Sequence, residues 1–228
     1  MKSPVTRFSR VGALAVSLVV VAACSRATQG PRLVGAPLPP SDPGVPSVTN
    51  PMIDGNRYPH TAADTYFMAG MIPHHAQAVL IAGWAKSHGA RADIQRLCER
   101  IVVAQRDEIA LIQQWLLDRA EPVPAADATH HRMTMDGMAH DMLMPGMLNE
   151  GELRALDRAR GPEFDRLFLM AMIKHHEGAI TMVDQLFATA GAAQDDIVFK
   201  FANDVSADQT TEIDFMQKML AELMPGGA

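Results

Sequence analysis

The chain has 228 residues, 48% of them hydrophobic, with a formal net charge of −6, the profile of one or two ordinary globular domains. That charge excludes a globally basic surface able to grip phosphate backbones, so nucleic acid is not an expected partner. Aromatic residues make up only 5% while methionines number 16, so thioethers fill part of the space that aromatic rings usually take.

At the N-terminus Lys2, Arg7 and Arg10 precede an apolar run from Val11 to Val21, too short to span a bilayer comfortably. The run ends in Val21-Ala22-Ala23-Cys24, and small residues before a cysteine resemble a bacterial lipobox. Residues 1–23 therefore read as a lipoprotein signal peptide and Cys24 as the lipidation site, with a plain secretory signal as the alternative. The expectation is a protein of the cell envelope, held outside the cytoplasmic membrane by that lipid. Cutting there removes three positive charges and no negative ones, leaving −9. Residues 24–59, punctuated by Pro31, Pro37, Pro39, Pro40, Pro43, Pro46, Pro51 and Pro59, suit a flexible tether. Cys98 is then the only cysteine, so no intrachain disulfide is available, and its place on an apolar stripe favours a small buried hydrophobe over a soft metal ligand.

Helical signals begin at Thr61, where Thr61-Ala62-Ala63-Asp64 is a capping-box arrangement and Phe67, Met71, Ala78 and Ala82 follow at helical spacing. The first helix is predicted over 62–87 and the second over 91–119, stopped by Pro122 and Pro124. The decisive signal is a repeat: Asp64, Phe67, Met71-Ile72, His74-His75 and Ala78 recur 101 residues later as Asp165, Phe168, Met172-Ile173, His175-His176 and Ala179. Gln105, Glu108-Ile109 and Ile112 likewise match Gln209, Glu212-Ile213 and Met216. Helices over 162–189 and 194–222 follow, with Pro162 in a tolerated first-turn position. Two hairpins with one amphipathic face each predict an all-α four-helix bundle: a domain over 60–222 made of repeat one (61–119), a crossover (120–161), repeat two (162–222), and a short tail at 223–228. A short helix is expected near 150–160, where Asn149 and Glu152 resemble a cap pair, and no strand signal is read anywhere.

Met71, His74 and His75 can emerge on adjacent parts of one helical surface, as can Met172, His175 and His176, which makes all six candidate metal ligands. Adjacent histidines point about 100° apart around a helix, so one ring of each pair is expected to ligate while the other packs or hydrogen-bonds. A carboxylate interrupts the apolar stripe of each partner helix, at Glu108 and at Glu212. A buried carboxylate must find a partner. Gln105, Glu108, Gln209 and Glu212 are therefore expected to orient or charge-balance the imidazoles, with Gln105 level with His74 and Glu108 level with Met71. A purely structural histidine–carboxylate network is the alternative.

The crossover holds a second candidate metal segment: His130, His131, Met133, Met135, Met138, His140, Met142, Met144 and Met147. Thioether and imidazole donors without paired cysteines point to a copper ion, Cu(I) or Cu(II), more than to zinc. Some of these methionines could instead form the apolar face of a lid over the bundle.

The paired segments Phe67-Met68-Ala69-Gly70-Met71-Ile72-Pro73-His74-His75 and Phe168-Leu169-Met170-Ala171-Met172-Ile173-Lys174-His175-His176, together with Met144-Pro145-Gly146-Met147 and the Gln-x-x-Glu-Ile sequences at Gln105 and Gln209, resemble the domain-of-unknown-function 305 family. The resemblance implies a ferritin-like four-helix fold, an extracytoplasmic setting and, as in some members, copper binding. It puts forward the same Met71, His74, His75, Met172, His175 and His176 as ligands. The function expected is capture, buffering or delivery of copper by a lipid-anchored protein, more a binding protein than an enzyme. A metal-dependent oxidase and a non-catalytic envelope interaction module are the alternatives.

Overall fold

A computed structural model describes residues 60–135 and 138–223, apart from the side chains of 132–141. The expected signal peptide, Cys24, the tether and nearly all of the short tail lie outside the described residues. Five helices and one two-stranded ribbon follow in the order α1 (Ala62–Gly83), α2 (Ala92–Asp118), β1 (His131–Met135), β2 (Met138–Met142), α3 (Glu150–Arg158), α4 (Pro162–Ala188) and α5 (Asp196–Leu223). The long helices are those the hydrophobic period predicts, and α1·α2 and α4·α5 form the two hairpins of an all-α bundle, joined through α1 against α4. Among the described residues no helix is long and apolar enough to cross a membrane.

The caps explain the helix starts. Thr61 accepts from Asp64 N–H (3.2 Å) and its own N–H donates to Asp64 Oδ2 (2.7 Å), closing the expected capping box. Asn149 and Glu152 do the same for α3. The first helix ends earlier than expected, at Gly83 rather than 87. Residues 84–89 continue as turns that end on Gly89 at φ +71°, a backbone conformation glycine adopts without strain.

Asp64 and Asp165, repeat partners that are both fully buried, tie the halves together. Asp64 accepts the Ala193 N–H (2.6 Å) from the loop before α5, and Asp165 accepts the Arg91 N–H (3.2 Å) from the loop before α2. Each hairpin's first helix thus anchors the other hairpin's turn. At one end of the bundle, buried Asp195 caps α5 through the Ile197 and Val198 N–H groups and also meets the Trp115 indole and the Arg119 guanidinium.

The reading of no strands is corrected within the crossover. β1 and β2 pair antiparallel, His131 with Met142 through Met135 with Met138. Alternation of Met or His with other residues on either side of Asp136-Gly137 is a hairpin signal, since Asp-Gly is a favoured two-residue turn. The abundance of methionine, a good helix former, hid that period-two pattern.

The core is divided. One apolar cluster takes the first half of α1 (Phe67, Met68, Met71), the second half of α2 (Ile109 to Leu116) and the second half of α4 (Ala179 to Leu186). The other takes the opposite halves, with Ala78 to Ala82, Ile94 to Ile101 and Phe164 to Met172. That exchange of halves makes α1 and α4 antiparallel neighbours and leaves a polar layer across the middle of the bundle.

Candidate metal centre at the mid-bundle histidine layer

The residues at the boundary between the two clusters are His74-His75, Gln105, Glu108, His175-His176, Gln209 and Glu212, the polar members of the repeat. All four imidazoles are fully buried. His74 and His175 lie innermost, ring centroids 3.8 Å apart with 40° between planes, and His75 and His176 flank them at 6.1 and 6.2 Å from their sequence neighbours. The structure therefore brings histidines from both repeats into one row. Met71 and Met172, also fully buried, fall in different apolar clusters, one in each half of the core.

The partner helices reach the outer rings. His176 Nε2 lies 2.7 Å from Glu212 Oε2, and His75 Nε2 lies 2.9 Å from Glu108 Oε2 at a less direct angle. Glu108 was expected opposite Met71, one turn away. Helical side chains lean toward the N-terminus of their helix, which in α2 means toward the α1–α2 turn and therefore toward His75. Both carboxylates are about one-quarter exposed, at 24% and 27%, and with Gln105 and Gln209 they line a groove of roughly 420 Å³ between α2 and α5. No histidine lines it, so the two carboxylates meet solvent on one side and the buried rings on the other.

The hydrogen bonds decide which ring nitrogens are free. The Pro145 carbonyl, 3.0 Å from His74 Nε2, can only accept, so that nitrogen carries the proton. The Glu212 carboxylate likewise accepts from His176 Nε2, while Glu108 stands beside His75 Nε2 without a hydrogen bond. The other nitrogen, Nδ1, is buried and without a partner in all three rings. In His75 and His175 neither nitrogen has a hydrogen-bond partner. Burial, reinforced by neighbouring imidazoles, pushes His74 and His175 well below the usual histidine range, so both rings are neutral near pH 7. Neutral imidazole with a free Nδ1 is the ligating form, and a carboxylate behind the ring is the arrangement that orients metal-bound histidines.

Among the described residues no three or more His, Cys, Asp or Glu side chains stand ready to chelate one ion. The available set is pairs of imidazoles, with Met71 and Met172 about one helical turn away along α1 and α4, which fits Cu(I), tolerant of low coordination, better than tetrahedral zinc. Cys98 is not part of it. It is buried in the apolar cluster containing Met172, and burial pushes its thiol up to about 12, as expected of a small hydrophobe.

The crossover is split. Met144 and Met147 are buried in the core, the Met147 sulfur accepts from the Met144 N–H at 3.2 Å, and the Pro145-Gly146 backbone presses onto Gly178 of α4. These two methionines form the lid considered above. His130, His131 and Met142 belong to the ribbon and its approach. The side chains of Met133, Met135, Met138 and His140 lie outside the described set.

Sequence reasoning missed the crossover's seat. Gln77, fully buried, donates to the Leu148 carbonyl (2.9 Å) and accepts from the Leu148 N–H (2.6 Å). Its repeat counterpart is Gly178, and this break in the repeat marks where the two halves receive the crossover differently.

The family model for a domain of unknown function, DUF305, matches residues 64–220. The chain belongs to the DUF305 family. Solved DUF305 structures share its fold: a Streptomyces coelicolor protein proposed to be secreted is 27% identical, covering 71% of this chain and 93% of that one at a TM-score of 0.59. A Deinococcus radiodurans fragment is 25% identical, covering 72% and 99% at a TM-score of 0.56. CopM in its Cu(II)-bound form is 27% identical, covering 71% and 97% at a TM-score of 0.53, and CopM has also been solved with Cu(I) and with silver. No curated protein matches. The DUF305 fold thus includes a member that holds copper and silver ions.

Proposed function

We propose that this DUF305 protein binds copper outside the cytoplasm, taking Cu(I) into the histidine layer for capture, buffering or delivery, and that Cys24 carries its lipid anchor. The observation carrying the reading is the set of buried Nδ1 atoms on His74, His75, His175 and His176, all left without a hydrogen-bond partner. Leaving a polar atom buried and unpaired costs about 1–3 kcal/mol each, a cost a bound cation would offset. Met71 and Met172 are the thioethers closest in sequence to the rings, one in each half of the core; Glu108 and Glu212 stand against the outer rings, and Gln105 and Gln209 touch no imidazole but line the same groove, their Oε1 atoms buried without a partner. Copper bound in CopM supports the choice of metal. No turnover is needed.

Anaerobic titration with Cu(I) against a competing chelator tests this. Glu108→Gln with Glu212→Gln should weaken binding by about 10–100-fold while preserving the fold, since such partners orient ligating rings. Replacing His74, His75, His175 and His176 by alanine should abolish the bundle site. Unchanged affinity in both variants would remove copper from the layer and leave a structural network.

A further inference from the structure

The groove between α2 and α5 is furnished twice, once by each repeat. Gln105 and Glu108 stand about one turn apart on one face of α2, their repeat partners Gln209 and Glu212 do the same on α5, and all four line the groove. Each glutamate meets an imidazole through Oε2, and its Oε1 has no donor among the described residues. Neither glutamate, nor Asp208 beside them, forms an ion pair with a lysine or arginine among the described residues. Gln105 and Gln209 are only 3% and 5% exposed, yet the Oε1 of each lacks a hydrogen-bond partner. We propose that this groove binds a small linear diammonium compound, one ammonium group seated on each glutamine–glutamate pair.

The chemistry of the lining selects that ligand. Three carboxylates share the groove with one guanidinium, that of Arg100, which lies over the Phe215 ring at 5.5 Å, so the groove attracts cations. A primary ammonium carries three N–H donors and no acceptor, which matches a carboxylate oxygen and an amide carbonyl that both want for donors. The terminal amide torsion is broad, so Oε1 can swing to meet a donor arriving from the groove. Ile101, Ala104 and Phe215 add apolar surface for the methylene chain between the two charges. A volume of roughly 420 Å³ suits a short organic chain better than a bare ion. A hard metal ion fits less well, since calcium takes about six to eight oxygen ligands. Among the described residues no three or more His, Cys, Asp or Glu side chains gather around one point.

The inference does not rest on copper in the histidine layer, and its test uses metal-free protein. Calorimetric titration with 1,4-diaminobutane and 1,5-diaminopentane should show saturable binding of one molecule per chain, with the Ile101 and Ala104 methyl resonances shifting along the same isotherm. Butylamine should bind at least about tenfold more weakly, and tetramethylammonium, which has charge but no N–H donor, more weakly again. Gln105→Leu with Gln209→Leu removes both carbonyl acceptors and should weaken the diamine at least about tenfold. Its melting temperature should not fall, because two buried oxygens without partners are lost with the amides. Asp208→Asn should weaken the diamine severalfold by removing one negative charge. A Cu(I) titration of the leucine variant reads the histidine layer by itself, so failure of either reading leaves the other standing. Absence of saturable diamine binding, equal affinity for tetramethylammonium, or unchanged diamine affinity in the leucine variant would overturn the proposal.

Discussion

Gly178→Ala places a methyl group where the crossover crosses α4. A Cβ at Gly178 would lie 2.0 Å from the Pro145 carbonyl oxygen, 2.4 Å from its carbon and 2.5 Å from Gly146 Cα, all backbone atoms. Ordinary contact begins near 3.4 Å, so the loop must retreat by more than an ångström. It cannot do so freely. The Pro145 carbonyl accepts from His74, Gln77 grips Leu148 on both backbone groups, and Gly146 is held at φ +77°. Overpacking costs about 1–3 kcal/mol, and a buried His74 donor left without its carbonyl about 1–3 more. The better helix propensity of alanine returns about 1 kcal/mol, so the net destabilisation should be about 1–5 kcal/mol. Urea unfolding should show a lower midpoint with an unchanged slope. Gly83→Ala is the control: a Cβ there meets nothing within 4 Å, so the change should be neutral or slightly stabilising. A Gly178→Ala protein within about 0.5 kcal/mol of the parent would refute the close approach and with it the lid over His74.

Three further outcomes follow from buried groups. The folded-state values of His74 and His175 are depressed, so the unfolded chain binds protons more readily; stability should be full above the ordinary value of 6.5 and fall as pH drops below it, read as a lower melting temperature in acid. A melting temperature independent of pH across that window would contradict the burial of the rings. The Cys98 thiol, held near 12, should resist thiol reagents in the native state and react at once on unfolding, whereas fast native labelling would show the cluster to be open. Asp195→Ala removes the acceptor for Arg119, Trp115 and the start of α5, and should cost about 3–5 kcal/mol with a change in tryptophan fluorescence. A loss below about 1 kcal/mol would mean the guanidinium finds solvent without penalty.

Much of the site was legible because each repeat writes its polar residues into an otherwise apolar stripe. His74-His75 with Glu108, and His175-His176 with Glu212, are visible as interruptions of a helical period, and the antiparallel hairpin makes each pair meet. The level of Glu108 was off by a turn because the count ignored the lean of helical side chains. The ribbon was missed because alternate methionines between other residues look helical unless the Asp136-Gly137 sequence between them is weighed. Gln77 and Gly178 went unnoticed because a difference between repeats carries no meaning until the crossover is seen lying on it.

The helices, their order and their amphipathic faces follow from local period and capping, which neighbouring residues impose on one another. So does the pairing within each hairpin, where a short turn leaves little choice. Which imidazole nitrogens are free was a tertiary decision. It depends on a carbonyl 71 residues from His74 and on carboxylates across the helix pair, partners that only the packing of the bundle brings within hydrogen-bond distance.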